Sequence, residues 1–246
     1  MIHILLAAYN EEKGLGPVLN DIARCLADGD FTVWVVDDGS TDATASVVAD
    51  WRRKIPLESL RHPANRGLGA SLQTGFMALS SRLSKNDTVV TLDADNTHPP
   101  ALIPRLVQPL DDDRADVVIA SRFVPGARVV GVPWFRRLLS LLASWLFRWA
   151  LPIPGVRDYT CGFRAVRGEL ILKSIERWGR LIEDNGFTST AELLVKWRFF
   201  NPRVLEIPLV LRYDRKIGPT KMVVLKTVIR TMRLILVMGQ ANQKTG

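Results

Sequence analysis

The sequence predicts an α/β fold built on a mostly parallel sheet, and three observations predict it. Short apolar, β-branched runs alternate with longer amphipathic segments through the first half of the chain. Polar and glycine clusters follow the apolar runs, at the positions where ligands gather in sheets of this kind. A composition of 47% hydrophobic and 24% charged residues over 246 positions suits one large domain, or a domain with an appendage, and allows a sizeable core.

The elements follow in order. Ile2 to Ala8 is apolar, lacks a basic leader and runs straight into Asn10, Glu11 and Glu12, so a buried first strand is expected rather than a signal peptide. Phe31 to Val36, Thr88 to Leu92 and Asp116 to Ala120 read as further buried strands, with a shorter one at Leu57 to Leu60. Helical patterns at 11–27, 42–54, 67–83 and 100–110 supply the crossovers that parallel strands require. No stretch reaches about 18 uninterrupted apolar residues, so no membrane-spanning helix is expected. Cys25 and Cys161 form neither a disulfide framework nor a metal-ligand spacing, which fits a reducing, cytoplasmic compartment.

The net charge of +8 conceals a division. Residues 1–127 carry 12 Lys/Arg and 17 Asp/Glu, while residues 128–246 carry 21 and 8. An acidic half suits a metal and nucleotide site; a basic half suits an anionic surface. Nucleic acid is the poorer candidate for that surface, because the aromatic residues lie on apolar stripes instead of alternating with basic ones on a polar face.

Four motifs fall at strand ends. Ala7-Ala8-Tyr9-Asn10-Glu11-Glu12 closes the first strand, and Asn10 there reads as a helix cap. Val35-Val36-Asp37-Asp38-Gly39-Ser40-Thr41-Asp42 closes the second; capping accounts for Ser40 to Asp42, whereas Asp37 and Asp38 suit bonds from a ribose hydroxyl or a base N–H. Asn65-Arg66-Gly67-Leu68-Gly69 is a glycine-rich helix start whose amides can approach a phosphate. Asp93-Ala94-Asp95 delivers two carboxylates onto a loop ahead of Pro99 and Pro100. Like charges this close repel unless a cation lies between them, which suggests a divalent metal. Asp93-Ala94-Asp95-Asn96-Thr97 also resembles the nucleophile loop of haloacid-dehalogenase-type phosphatases, but the one later acidic cluster, Asp111 to Asp113, sits between a helix and a strand instead of at a strand end.

Taken in order, Ala-Tyr-Asn-Glu, Val-Asp-Asp-Gly-Ser-x-Asp, Asn-x-Gly-x-Gly, Asp-Ala-Asp-x-x-His-Pro-Pro and Ala120-Ser121-Arg122-Phe123 resemble the inverting family 2 glycosyltransferases of the GT-A fold, and within them the dolichyl- and polyprenyl-phosphate sugar synthases. The resemblance spans roughly residues 2–222 and implies a GT-A domain over 1–222, with an interfacial insertion at 133–150 and a C-terminal amphipathic helix and tail over 223–246. It implies that a nucleotide-sugar lies across the strand ends, against Ala8, Tyr9, Glu11, Asp37, Asp38, Asn65, Gly67 and Ala94. Asp93 and Asp95 would hold Mg²⁺ or Mn²⁺ against the donor diphosphate. Ala7 and Ala43 depart from the family's usual proline and glycine, and Thr97 stands where a glutamine ligand is common.

In the second half, Asp158-Tyr159-Thr160-Cys161-Gly162-Phe163-Arg164 resembles the acceptor-side segment of that family, with Asp158 expected to orient rather than deprotonate. Arg122, Arg164, Arg215 and Lys221 are the cations expected to guide an acceptor phosphate, the last two within Arg212-Tyr213-Asp214-Arg215-Lys216-Ile217-Gly218-Pro219-Thr220-Lys221-Met222. Glu192 reads either as a base for a hydroxyl acceptor or as a solvated helix residue. In 134–149, Arg137, Ser140, Ser144 and Arg148 form a polar stripe among Leu, Trp and Phe; in 222–238, Lys226, Arg230 and Arg233 do the same. These segments suggest helices lying in a membrane interface. The expected activity is metal-dependent, inverting hexose transfer from a donor of GDP-mannose or UDP-glucose type to a polyprenyl phosphate, at the cytoplasmic face of a membrane. Its rivals are a family 2 transferase with a hydroxyl acceptor and a non-catalytic adaptor on a degenerate transferase fold.

Overall fold

A computed structural model of the chain describes residues 1–216 and 224–243. Its main sheet has seven strands in the order β3-β2-β1-β4-β7-β5-β8. These are β1 (Ile2–Ala8), β2 (Phe31–Asp37), β3 (Leu57–Arg61), β4 (Thr88–Asp93), β5 (Val117–Ser121), β7 (Arg164–Arg167) and β8 (Val204–Pro208). β6 (Arg128–Val130) and β9 (Val210–Arg212) form a separate parallel pair. Strands β1 to β4 are mutually parallel; β7 runs antiparallel between β4 and β5, and β8 returns parallel to β5.

Helices cover both faces, which is why the central strands read as near-continuous apolar runs. In α1 (Leu15–Cys25) the buried Leu15, Val18, Leu19 and Ile22 share one face, and in α4 (Ile103–Asp111) Ile103, Leu106, Val107 and Leu110 repeat that spacing. A fully buried aliphatic side chain of this kind contributes about 2 kcal/mol of transfer free energy, so a charge at Leu106 would break the packing of α4. The remaining helices are α2 (Thr44–Trp51), α3 (Leu68–Ser80), α5 (Trp134–Ala150), α6 (Gly168–Trp178), α7 (Ser189–Trp197) and α8 (Val224–Gln243).

The register fixes the site. Ala8 stands beside Asp37, and Ala7 beside Asp93, at the carboxyl ends of β2, β1 and β4. The crossover that begins after β1 moves outward to β2 and β3, then returns to β4 on the other side of β1. Strand order therefore reverses between β1 and β4, the crevice where open α/β sheets bind ligands.

One expectation is turned inside out. The serines of α5 face the protein: Ser144 is buried and Ser140 lies 3.5 Å from Thr160, while Phe147 stacks on Tyr159 at 5.4 Å. The outward face carries Trp134, Phe135, Leu138, Leu141, Leu142, Trp145 and Trp149, with Trp134 and Trp149 three-quarters exposed. Arg137 and Arg148 are exposed at the flanks. α8 packs against α5 and adds the exposed Ile229, Met232, Leu236 and Val237 to the same class of surface. Among the described residues no helix is long and apolar enough to cross a membrane.

Candidate active site

The loops after β1 and β2 are laced together. The Asn10 amide donates to Ser40 Oγ, the Glu11 amide to Thr44 Oγ1 and the Glu12 amide to Asp42 Oδ2, while Asn10 Oδ1 accepts from the Thr41 amide. Asn10 thus caps no helix: α1 begins at Leu15, and Asn10 spends its side chain across the loop with φ at 51°. Asp37 accepts from the Ser40 amide through Oδ1; among the described residues its buried Oδ2 makes no hydrogen bond, and Arg61 Nε lies 3.4 Å away. That oxygen suits a ligand N–H or O–H. Tyr9 and Glu11 are half-buried at the same edge, and Ala8 uses its carbonyl on the Asp38 amide.

Asp38 is engaged within the protein. Its Oδ1 receives the Arg66 amide and lies 2.6 Å from His62 Nδ1, and its Oδ2 receives the Gly67 amide. With 3% exposure it shapes the 62–67 turn. At the expected phosphate cradle of Asn65 and Gly67, the glycine amides are engaged too. Gly67 N–H is committed to Asp38, Gly69 N–H donates to Asn185 O, and a Cβ on either glycine would overlap the backbone of residues 184–185. The glycines admit a neighbouring segment, and Asn65 stays exposed beside them.

At the end of β4, Thr97 donates to Asp95 Oδ1 through both its amide and its hydroxyl, leaving Oδ2, which pairs with Lys216 Nζ. Burial opposes ionisation of Asp95, but the Lys216 charge and the bonds from Lys216 and Thr97 hold its carboxyl below the usual range. Asp93 keeps 47% of its side-chain surface, and His98 Nδ1 lies 3.8 Å from its carboxylate. Partial desolvation and the charge of Asp95 push the Asp93 carboxyl up, with His98 opposing. His98 accepts the Asp93 amide and stacks on Phe163 at 5.3 Å, so it fixes the strand end. Ala94 is buried between the two acids. Among the described residues no cluster of three or more His, Cys, Asp or Glu forms a ready metal cage. The half-exposed Asp93 carboxylate, with Asp95 Oδ2 as a second hard oxygen paired here to Lys216, nevertheless fits Mg²⁺ or Mn²⁺, which ordinarily take one or two carboxylates and complete their shell with water and substrate phosphate.

Beyond β5, Arg122 forms a fork on Asp158: Nε meets Oδ2 at 2.8 Å, Nη2 meets Oδ1 at 2.6 Å, and its own amide also reaches Oδ2. The Thr160 and Cys161 amides complete the shell of the fully buried Asp158. Asp158 therefore orients Arg122, and the Arg122 guanidinium keeps 17% exposure near Asp93. Arg164 is buried and its guanidinium donates to Thr190 O and Tyr159 O, tying β7 to α7. Burial lowers it to about 10. Glu192 is likewise no solvated residue: it accepts the Glu183 and Asp184 amides and pairs with Lys196 at 2.9 Å, 3% exposed. Arg215 is exposed. Lys221 and Thr220 lie outside the described residues, as does the side chain of Lys226.

Lys216 and His62 were missed as site residues. Lys216 lay within a quoted motif, but nothing local in the sequence ties it to a carboxylate 121 positions earlier.

A nucleotide-type crevice at a strand-order reversal, with an acid pair ending the strand beside it, defines a GT-A transferase fold. The chain belongs to glycosyl transferase family 2, whose model matches residues 3–174. It is 31% identical over 208 residues to a dolichol-phosphate mannosyltransferase of Pyrococcus furiosus, covering 84% of this chain and 55% of that protein, so it spans about half the length of that relative. It is 31% identical over 224 residues to a polyprenol monophosphomannose synthase of Mycolicibacterium smegmatis, covering 89% of this chain and 80% of that one. An undecaprenyl-phosphate mannosyltransferase of Micrococcus luteus is 30% identical over 219 residues, with 89% and 86% covered. Among solved structures, glucosyl-3-phosphoglycerate synthase from Mycobacterium tuberculosis, in complex with Mn²⁺, UDP and glucosyl-3-phosphoglycerate, matches the fold with a TM-score of 0.66 at 22% identity, over 97% of this chain and 78% of that one.

Proposed function

We propose that the protein transfers a hexose, with inversion, from a nucleotide-sugar to a polyprenyl phosphate at a membrane surface. One observation carries the reading: the paired acids Asp93 and Asp95 end β4 within the electrostatic reach of Arg122, which Asp158 holds, and of Lys216, which pairs with Asp95, while helices α5 and α8 expose apolar faces. The names of the mannosyltransferase relatives support the donor and acceptor classes.

In this reading Asp37 Oδ2 receives the donor's base or ribose, and Tyr9 and Glu11 border it. Asp93 and Asp95 would hold the divalent cation, which when bound neutralises charge on the departing nucleotide diphosphate; the Mn²⁺ complex of the structural neighbour supports that assignment. Arg122, held rigid by Asp158, presents its guanidinium to the incoming phosphate oxygen. Such a phosphate is already anionic near neutral pH, its second pKa being about 6, so no side chain need take its proton.

The hydroxyl-acceptor rival requires a base from Asp158 or Glu192. Both carboxylates are saturated by buried partners, which favours the phosphate acceptor. The outward tryptophans and leucines of α5, flanked by Arg137 and Arg148, support attachment at a membrane interface. The test offers sugar-labelled GDP-mannose, UDP-glucose and related donors with a short polyprenyl phosphate and Mn²⁺. Label is expected in the organic phase; label confined to water-soluble products would overturn the lipid acceptor, and no turnover with donor still bound would favour the adaptor.

A further inference from the structure

The contested atom of the acid pair is Asp95 Oδ2. Asp95 Oδ1 is consumed by two bonds from Thr97, at 2.7 and 3.1 Å, so a cation approaching Asp95 has one oxygen available. Lys216 Nζ already occupies it, in a pair whose side chains are 14% and 11% exposed. The ammonium also sits in the field of Glu11 and Asp93. Two acids this close repel without a cation, and Lys216 supplies one from within the chain.

From this we infer that Lys216 is a built-in surrogate for the divalent cation, holding Asp95 in the metal-free enzyme and leaving it when the metal binds. The inference rests on the metal reading of Asp93 and Asp95. Its chemistry suits exchange. An ammonium on a four-carbon stem is a point charge that can swing away, whereas an arginine fork would lock onto both oxygens, as Arg122 does on Asp158. Lys216 follows directly on the turn Tyr213–Arg215, and Arg212 N–H donates to Thr97 O, so the segment that carries its flexible stem is tied to the loop of the acid pair. Once released, the ammonium lies beside the cleft where donor and acceptor phosphates meet, and it becomes a positioning residue for them. The pair thus keeps the acid site from collapsing or repelling before metal loads, and it makes metal binding weaker than it would be without the lysine.

Two measurements test this on the whole protein. The first follows acylation of Lys216 by a water-soluble amine reagent, read by peptide mass spectrometry, with the half-exposed Lys173 as internal reference. Addition of Mn²⁺ with a nucleoside diphosphate should shield the cleft generally, so Mn²⁺ alone is the decisive arm. Saturating Mn²⁺ should speed Lys216 labelling several-fold relative to Lys173, and an unchanged ratio while Mn²⁺ is bound overturns the inference. The second compares Mn²⁺ affinity of the donor-free protein with Lys216→Met and Arg215→Met. Loss of a direct competitor should tighten binding about tenfold or more for Lys216→Met and far less for Arg215→Met; equal gains would mean a diffuse charge effect and overturn it. If no form binds Mn²⁺, with or without nucleoside diphosphate, the metal reading itself falls and takes this inference with it.

Discussion

Arg122 and Asp158 are joined by two parallel guanidinium bonds and by the Arg122 backbone amide, so a residue bordering the cleft is fixed by one that has no exposure at all. Asp158→Ala would leave the nearly buried Arg122 charge unpaired and the Thr160 and Cys161 amides unsatisfied. Breaking such a pair costs about 3–5 kcal/mol. Urea unfolding should show that loss; a change under about 1 kcal/mol would mean that the pair is not a structural tie.

The same carboxylate gives a pH signature. Burial opposes its ionisation, but the Arg122 charge and hydrogen bonds hold the Asp158 carboxyl below the usual range in the folded protein. Its contribution to stability is therefore fully present above the unfolded value of about 3.9 and is lost as pH falls through the lower folded value. Melting temperature against pH should drop more steeply below about pH 4 in the wild type than in Asp158→Asn. Parallel acid limbs would contradict the assignment.

Gly69 and Gly16 predict different outcomes for one substitution. A Cβ on Gly69 would run into Asp184 O and disturb the bond from its amide to Asn185 O, whereas a Cβ on Gly16 meets nothing closer than 3.9 Å. Gly69→Ala should cost about 1–3 kcal/mol by forcing the 184–186 segment away. Gly16→Ala, in the first turn of α1, should change stability by less than about 0.5 kcal/mol or raise it slightly, since helix propensity favours alanine while the ring of Pro17 opposes a Cβ on the residue before it. Thermal melts of the two variants decide it, and a neutral Gly69→Ala would sink the close-approach explanation.

How far the sequence reveals this molecule depends on whether the deciding partners are local. β1, β2, β4 and β5 are legible because helices cover both faces and the strands are apolar throughout. β7 is not, because arginines stand at both of its ends: Arg164 donates to the carbonyls of Thr190 and Tyr159, and Arg167 to those of Leu110 and Ala115. The Asp93–Asp95 pair stands out by its spacing alone. Asp38 looked equally suited to a ligand, since a strand-end acid reads the same whether it faces a ribose or, as here, His62 and the amides of Arg66 and Gly67. The polar stripe of α5 was legible as a stripe, but only the packing of Ser140 and Ser144 against the body shows that it faces inward.

The proposed cation site at Asp93 and Asp95 makes a direct prediction. Chelator should abolish sugar transfer, and Mn²⁺ or Mg²⁺ should restore it. Asp93→Asn should lower kcat by about 10²-fold or more, on the scale of losing one electrostatic contact to the developing charge. Its melting temperature should change little, because losing the His98 contact at 3.8 Å is offset by relief of the repulsion with Asp95. Full activity in excess chelator would remove the metal from the mechanism.

The outward face of α5 gives a prediction independent of catalysis. Leu141, Leu142 and Trp145 are each about half exposed or more, so they contribute little to the core and their replacement should leave the melting temperature nearly unchanged. In a lipid interface each would bury apolar surface at about 25 cal/mol per Å², and a glutamate would both forfeit that gain and meet the negative surface of anionic lipid. Leu141→Glu with Trp145→Glu should therefore cut flotation with vesicles containing anionic phospholipid by about tenfold or more. Arg137→Glu with Arg148→Glu should weaken flotation on those vesicles and have little effect on neutral ones, since the arginines act through charge and the leucines and tryptophan through burial. Wild-type protein that stays at the bottom of the gradient with both kinds of vesicle would show that this face is covered by something other than lipid.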